Sequence, residues 1–162
     1  MPPSGDERQF RGEAQDAAAR EIMEKAVGLV EAPDGSPLPK IGADTLFLGA
    51  QAKAASLAND VIELDAAAVC ARAFGGVYGG PAPDTALLDR AKTAVVFMGR
   101  GADRSAQVEA ARRLVAAGAK VIAVSLYTPR CLDDMPGGVW KICAWQYERL
   151  ALDALIAFLK RS

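Results

Sequence analysis

The sequence contains no histidine. That absence removes the commonest general acid and base, the commonest metal ligand and every triad that pairs a nucleophile with an imidazole. Catalysis on this chain would have to rest on carboxylates, lysine, tyrosine or cysteine. Cysteine is scarce as well: Cys70, Cys131 and Cys143 lie far apart, without the close spacing of a metal site. Cys131 and Cys143 sit beside or inside apolar segments, so buried free thiols are the expectation, with no metal and no other cofactor. No apolar stretch approaches the roughly 20 residues of a membrane span, and the opening MPPSGDERQF lacks the apolar core of a secretory leader. A soluble protein of the reducing cytoplasm, with no membrane partner, is therefore expected. Lys and Arg number 19 against 20 Asp and Glu, a formal net charge of −1, and this balance gives no electrostatic footprint for nucleic acid.

What remains is an ordinary globular composition. A chain of 162 residues, 51% of them hydrophobic, is long enough for one core and short for two, so residues 1–162 are read as a single domain. Asp6 with Gln9 three residues on forms a capping box, and Ala14, Ala18, Ile22 and Ala26 fall on one stripe, predicting an amino-terminal helix that packs by small side chains. In GLVEAPDGSPLPKI the prolines and the Asp34-Gly35 turn allow a short hairpin or an extended arm but no helix.

From Asp44 onward, short apolar runs alternate with helical stretches. Thr45 to Ala50, Val61 to Leu64, Ala94 to Gly99, Lys120 to Leu126 and Val139 to Trp145 are predicted strands. Most are too uniformly apolar to have one wet face, which points to a parallel sheet covered on both sides. Between the third and fourth, Ser105 is a candidate helix cap, Val108, Ala111 and Val115 make an apolar stripe, and Gly118 stands where the chain leaves the helix. FGGVYGGPAP (Phe74 to Pro83) reads as a loop, with a helix resuming near Asp84. A last helix over about Glu148 to Lys160 offers Leu152, Leu155, Ile156 and Leu159 to the sheet. The expected fold is a three-layer α/β/α sandwich with a mainly parallel sheet of about five strands, preceded by an N-terminal helix and arm. Its crevice would lie beyond the strands' carboxyl ends where strand order reverses, flanked by Gly49-Ala50-Gln51 and Gly99-Arg100-Gly101.

Three groups of residues there have chemical potential. GRGADRS (Gly99 to Ser105) leaves a strand and enters a helix, so its amides with Arg100 and Arg104 could gather around an anion. It lacks the Gly-Lys-Ser/Thr of a Walker loop and the three spaced glycines of a dinucleotide fold, and a plain turn with a Ser cap is the preferred reading over a phosphate site. Glu63, Asp65 and Asp103 stand at or past strand ends, where a glycosidase-like carboxylate pair would sit, although solvation or helix capping accounts for each. Tyr127, Thr128, Pro129, Arg130, Asp133 and Asp134 leave the fourth strand as a polar loop, with Trp140 and Trp145 bracketing the fifth as core or interface residues.

Nearly the whole chain resembles the carboxy-terminal domain of family-3 glycoside hydrolases, the β-N-acetylglucosaminidase branch above all. Ala17 to Gly49 is similar to the helix, arm, Leu-Pro turn and first strand that open that domain. Ala91 to Pro136 resembles its later core, including Gln107 and the Ser-Leu-x-x-Pro-x-x-Leu run from Ser125 to Leu132, and Ala144 to Leu159 its final strand and helix. In that family the nucleophilic aspartate, most sugar contacts and the acetylglucosaminidase acid/base histidine belong to an amino-terminal (β/α)8 barrel. A barrel needs about 250 residues. The β-glucosidase branch draws an acid/base glutamate from the loop after the strand matching VVFMG, but here Arg100 follows Gly99 and no glutamate occurs before Glu109. The resemblance therefore implies no catalytic residue on this chain. It implies a non-catalytic accessory domain that packs on a barrel domain or partner chain and shapes a glycan cleft, with Arg100, Asp103, Arg104, Ser105, Tyr127 and Arg130 as candidate binding or interface residues. A stand-alone module for a phosphate or an acidic sugar, and a self-associating homo-oligomer, are the alternatives.

Overall fold

The computed structural model describes residues 27–49, 52–55, 61–80, 84–98, 103–125, 129–143 and 149–161. The predicted amino-terminal helix lies outside them. In chain order the elements are β1 (Gly28–Glu31), β2 (Leu46–Gly49), β3 (Ala52–Ala55), β4 (Val61–Leu64), α1 (Ala66–Phe74), β5 (Val77–Gly80) and α2 (Thr85–Arg90), then β6 (Thr93–Met98), α3 (Asp103–Ala116), β7 (Lys120–Ser125), β8 (Trp140–Cys143) and α4 (Arg149–Arg161). Two 3-10 turns, Pro33–Gly35 and Pro129–Leu132, complete them.

Six strands make the central sheet in the order β1-β8-β7-β6-β2-β5. The last five are mutually parallel, and β1 runs antiparallel to β8 along one edge. The strands' alternation builds a core on each face. Phe47, Val95, Phe97, Ile122, Val124, Trp140 and Ile142 pack with Cys70 of α1 and Leu152, Leu155 and Leu159 of α4. Leu46, Leu48, Ala94, Val96, Met98, Val121 and Ala123 pack with Leu88 of α2 and with Val108, Ala111 and Leu114 of α3. This two-sided burial is why the strand sequences show no polar alternation. The arm after β1 lies on the first of these cores through Ala32, Leu38 and Ile41. The Trp140 indole N–H donates to the Ser36 carbonyl at 3.1 Å, so Trp140, 7% exposed, is a core residue that pins the arm.

Helix ends follow local chemistry. Asp65 caps α1 by accepting the Ala68 N–H at 3.1 Å, and Asp84 caps α2 by accepting that of Ala86 at 3.2 Å. Gly118, at φ +85°, closes α3: its own N–H reaches Val115 O and that of Ala119 reaches Leu114 O, both at 3.0 Å. Ser105 is not the cap of α3, as it lies two residues inside a helix that starts at Asp103.

Three strand assignments differ from the sequence reading, the first being Ala52–Ala55, which no predicted strand covers. Val61–Leu64 is a strand, but it pairs antiparallel with β3 in a separate two-stranded ribbon. Residues 56–60 are too short a link for the crossover that a parallel partner requires. Conversely, Val77–Gly80, read as loop, is the edge strand β5, parallel to β2. An edge strand needs only one ladder and tolerates glycine. Gly76 lets the chain pass close to β2, since a Cβ there would lie 2.6 Å from the Phe47 ring and 2.8 Å from Thr45 O.

Candidate functional site

Chain order steps from β2 outward to β5 and then back across to β6, so strand order reverses at β2. The carboxyl ends that flank this reversal are Gly49 and Met98, as the first and third predicted strands required. The neighbour on the far side is β5, however, not the Val61–Leu64 segment. The strands approach each other very closely here. Gly49 sits at φ +152°, and a Cβ on it would fall 2.5 Å from Phe97 O and 2.7 Å from Phe97 Cβ. Ala50, Gln51 and Gly99 to Gly101, expected to flank the crevice, lie outside the described residues.

Of the candidate binding residues, Arg100 and Tyr127 also lie outside the described set, while Asp103 and Arg104 are the first two residues of α3. Ser105 is exposed in that helix's first turn, and Arg130 is exposed in the 3-10 turn that follows β7. Both turns hang from carboxyl ends of adjacent parallel strands, β6 and β7. Gln107 is 2% exposed, and the buried Ser125 and Cys143 pair in register at the ends of β7 and β8. Cys70 and Cys143 are buried outside any disulfide, and Cys131 is half-buried.

The best-defined polar pair near the crevice was not anticipated. One Asp65 carboxylate oxygen accepts the Ala68 N–H, and the other accepts the Tyr78 hydroxyl, tying edge strand β5 to the start of α1. The hydrogen bond to Asp65, then partial burial and the Asp65 charge, push the Tyr78 phenol up to about 12. At neutral pH this phenol is a hydrogen-bond donor, never a base. The signal in the sequence was the Val-Tyr pair inside a glycine-rich run, a strand signature among turn formers.

A raised folded-state pKa favours the fold below the ordinary phenol value of 10.0, and that contribution disappears as pH climbs from there through about 12. In an ultraviolet titration, one of the three tyrosines should ionise about two units late. Asp65→Asn retains a capping side chain but removes the charge. The late step should move toward the ordinary value in this variant, and a profile that does not change would contradict the pairing.

No protein-family model and no curated protein sequence matches the chain. Several solved structures do match in fold. A β-glucoside phosphorylase, BglX, superposes with a TM-score of 0.60 at 16% identity, over 87% of this chain and 28% of that one. A glycoside hydrolase family 3 β-N-acetylglucosaminidase from Paenibacillus sp. str. FPU-7 gives 0.61 at 16% identity, over 88% and 29%. A fungal multi-domain GH3 β-N-acetylglucosaminidase with a GCN5-related glucosamine N-acetyltransferase region gives 0.67 at 12% identity, over 91% and 18%. The chain thus spans less than a third of the length of these proteins. Among the described residues no helix is long and apolar enough to cross a membrane. The α/β sandwich implied by the sequence resemblance is the fold found, and in fold this chain is similar to one part of glycoside hydrolase family 3 enzymes.

Proposed function

We propose that residues 1–162 act as a single, non-catalytic accessory domain in a cytoplasmic glycan-processing assembly. The domain packs on a (β/α)8 barrel, in the same polypeptide or a partner chain, and shapes the rim of its glycan cleft. The observation that carries this reading is coverage. At least 87% of the chain aligns with solved glycosidase-type structures, yet it fills at most 29% of any of the three compared. The missing histidine agrees, because the branch that the sequence resembles keeps its acid/base imidazole on the barrel. Arg100, Asp103, Arg104, Ser105, Tyr127 and Arg130, which follow β6 and β7 in the chain, form the contact rim in this reading.

The purified chain should leave a chromogenic N-acetylglucosaminide intact, and turnover that survives repurification would overturn the non-catalytic assignment. A barrel-only chain from the same genome, mixed with this one, should co-elute with it. Arg130→Glu should weaken that complex. The phosphate or acidic-sugar alternative predicts instead that sugar phosphates bind the chain alone and that Arg104→Ala abolishes the binding.

A further inference from the structure

The exposed large hydrophobic residues among the described set, Leu29, Val30, Val77 and Tyr78, all belong to the two outermost strands of the main sheet. Neither β1 nor β5 has a strand on its outer side among the described residues. Beside β5, at its amino end, opens a slot of about 180 Å³ lined by Leu46, Val77, Leu87 and Ala91, together with Asp44 and Arg90.

The faces on which these side chains stand follow from the pairing. Leu29 is opposite Ile142, and Tyr78 is opposite Phe47; Ile142 and Phe47 both belong to the core beneath α1 and α4. Leu29 and Tyr78 therefore share that face. Glu31 is opposite Lys141, which lies between Trp140 and Ile142 in β8 and so points to the other face; the two side chains are 2.8 Å apart. Val77 is opposite Leu46, in the core beneath α2 and α3. Glu31 and Val77 thus share the second face, where Arg90 lines the slot.

Strand direction gives a second, independent relation. β1 runs against every other strand of the sheet, β5 included. If β1 of another copy continues the sheet beyond β5, the new pair is antiparallel, with its Gly28 end beside Gly80 and its Glu31 end beside Val77. That places the incoming Leu29 by Tyr78 on one face. On the other face it places the incoming Glu31 carboxylate by Val77, at the mouth of the slot that Arg90 lines. Face, polarity and charge agree in this one arrangement. Pairing β5 with β5 across a two-fold axis offers Arg90 no such acid and leaves Leu29 and Val30 in water.

From this agreement we infer that the β5 edge receives β1 of a second copy, head to tail, an association separate from any contact made by the carboxyl-end rim. Each strand carries one extra residue that breaks its ladder, Val30 in β1 and Gly79 in β5. The contact is accordingly short and the association weak. Repeating it does not close on itself, so the assemblies are open-ended rather than dimeric.

Sedimentation velocity of the full chain over a wide concentration range tests this. The average mass of the wild-type protein should rise through the dimer without a plateau. Leu29→Lys blocks only the β1 side and Val77→Lys only the β5 side, so each alone should stay monomeric. An equimolar mixture retains one good edge from each and should stop at a heterodimer. A wild-type protein that is monomeric throughout overturns the inference, and so do a plateau at the dimer, association of either variant alone or a mixture that remains monomeric. If a lysine variant loses its native circular dichroism, Leu29→Ser and Arg90→Glu replace the two, with the same outcomes expected.

Discussion

Gly49→Ala should lose roughly 2–6 kcal/mol of folding stability. About 1–3 kcal/mol comes from holding a side chain at a positive φ, and about 1–3 kcal/mol from overpacking a rigid neighbour. The neighbour cannot yield cheaply, since the new methyl would meet the backbone oxygen of Phe97 at 2.5 Å, at the carboxyl end of the β2–β6 ladder. Domains of this size have only about 5–15 kcal/mol in total, so the denaturant midpoint should fall far while the slope stays unchanged. Gly137→Ala is the control. No atom lies within 4 Å of a Cβ there, and it should unfold like the parent. Equal midpoints for Gly49→Ala and Gly137→Ala would mean that the two strands do not approach this closely at the crevice.

Leu114→Ala and Leu155→Ala should each lose about 2–5 kcal/mol, because both side chains are fully buried and a truncated leucine leaves a cavity as well as lost transfer energy. The two sit on opposite faces of the sheet, Leu114 in the core with α2 and α3 and Leu155 in the core with α1 and α4. Substitutions that share no partner add to within about 0.5 kcal/mol. The double variant should therefore lose the sum of the two in a single transition. Separate transitions would show that the layers unfold independently, and a clear shortfall would show coupling through the strands.

The strands buried on both faces were the most legible in the sequence. Thr45 to Ala50 and Lys120 to Leu126, read from apolar runs, correspond to Leu46–Gly49 and Lys120–Ser125. Val61 to Leu64 has the same apolar texture, and composition cannot tell a ribbon strand from a core strand. Only the five residues separating it from Ala52–Ala55 carried the distinction. β5 was hidden because an edge strand can be half glycine, and Gly79 and Gly80 resemble a turn until a neighbour supplies the ladder. Asp65 could be read as a cap from its place before Ala66, but its bond to Tyr78 joins residues thirteen apart across an intervening helix. The placement of Arg130 on an exposed turn was legible because a strand end and Pro129 mark it, whereas Ser105, read as a cap, lies inside α3.

The reversed course of β1 bears on how this domain could be tethered. Gly28 pairs with Cys143, the last residue of β8, and so stands at the carboxyl end of the parallel strands. Had β1 run with its neighbours, Gly28 would stand at the opposite pole of the sheet. A polypeptide attached ahead of it sets out from the carboxyl end of the sheet, the side of the proposed contact rim. One inverted strand thus sets the origin of any upstream tether at the pole where the proposed contact lies.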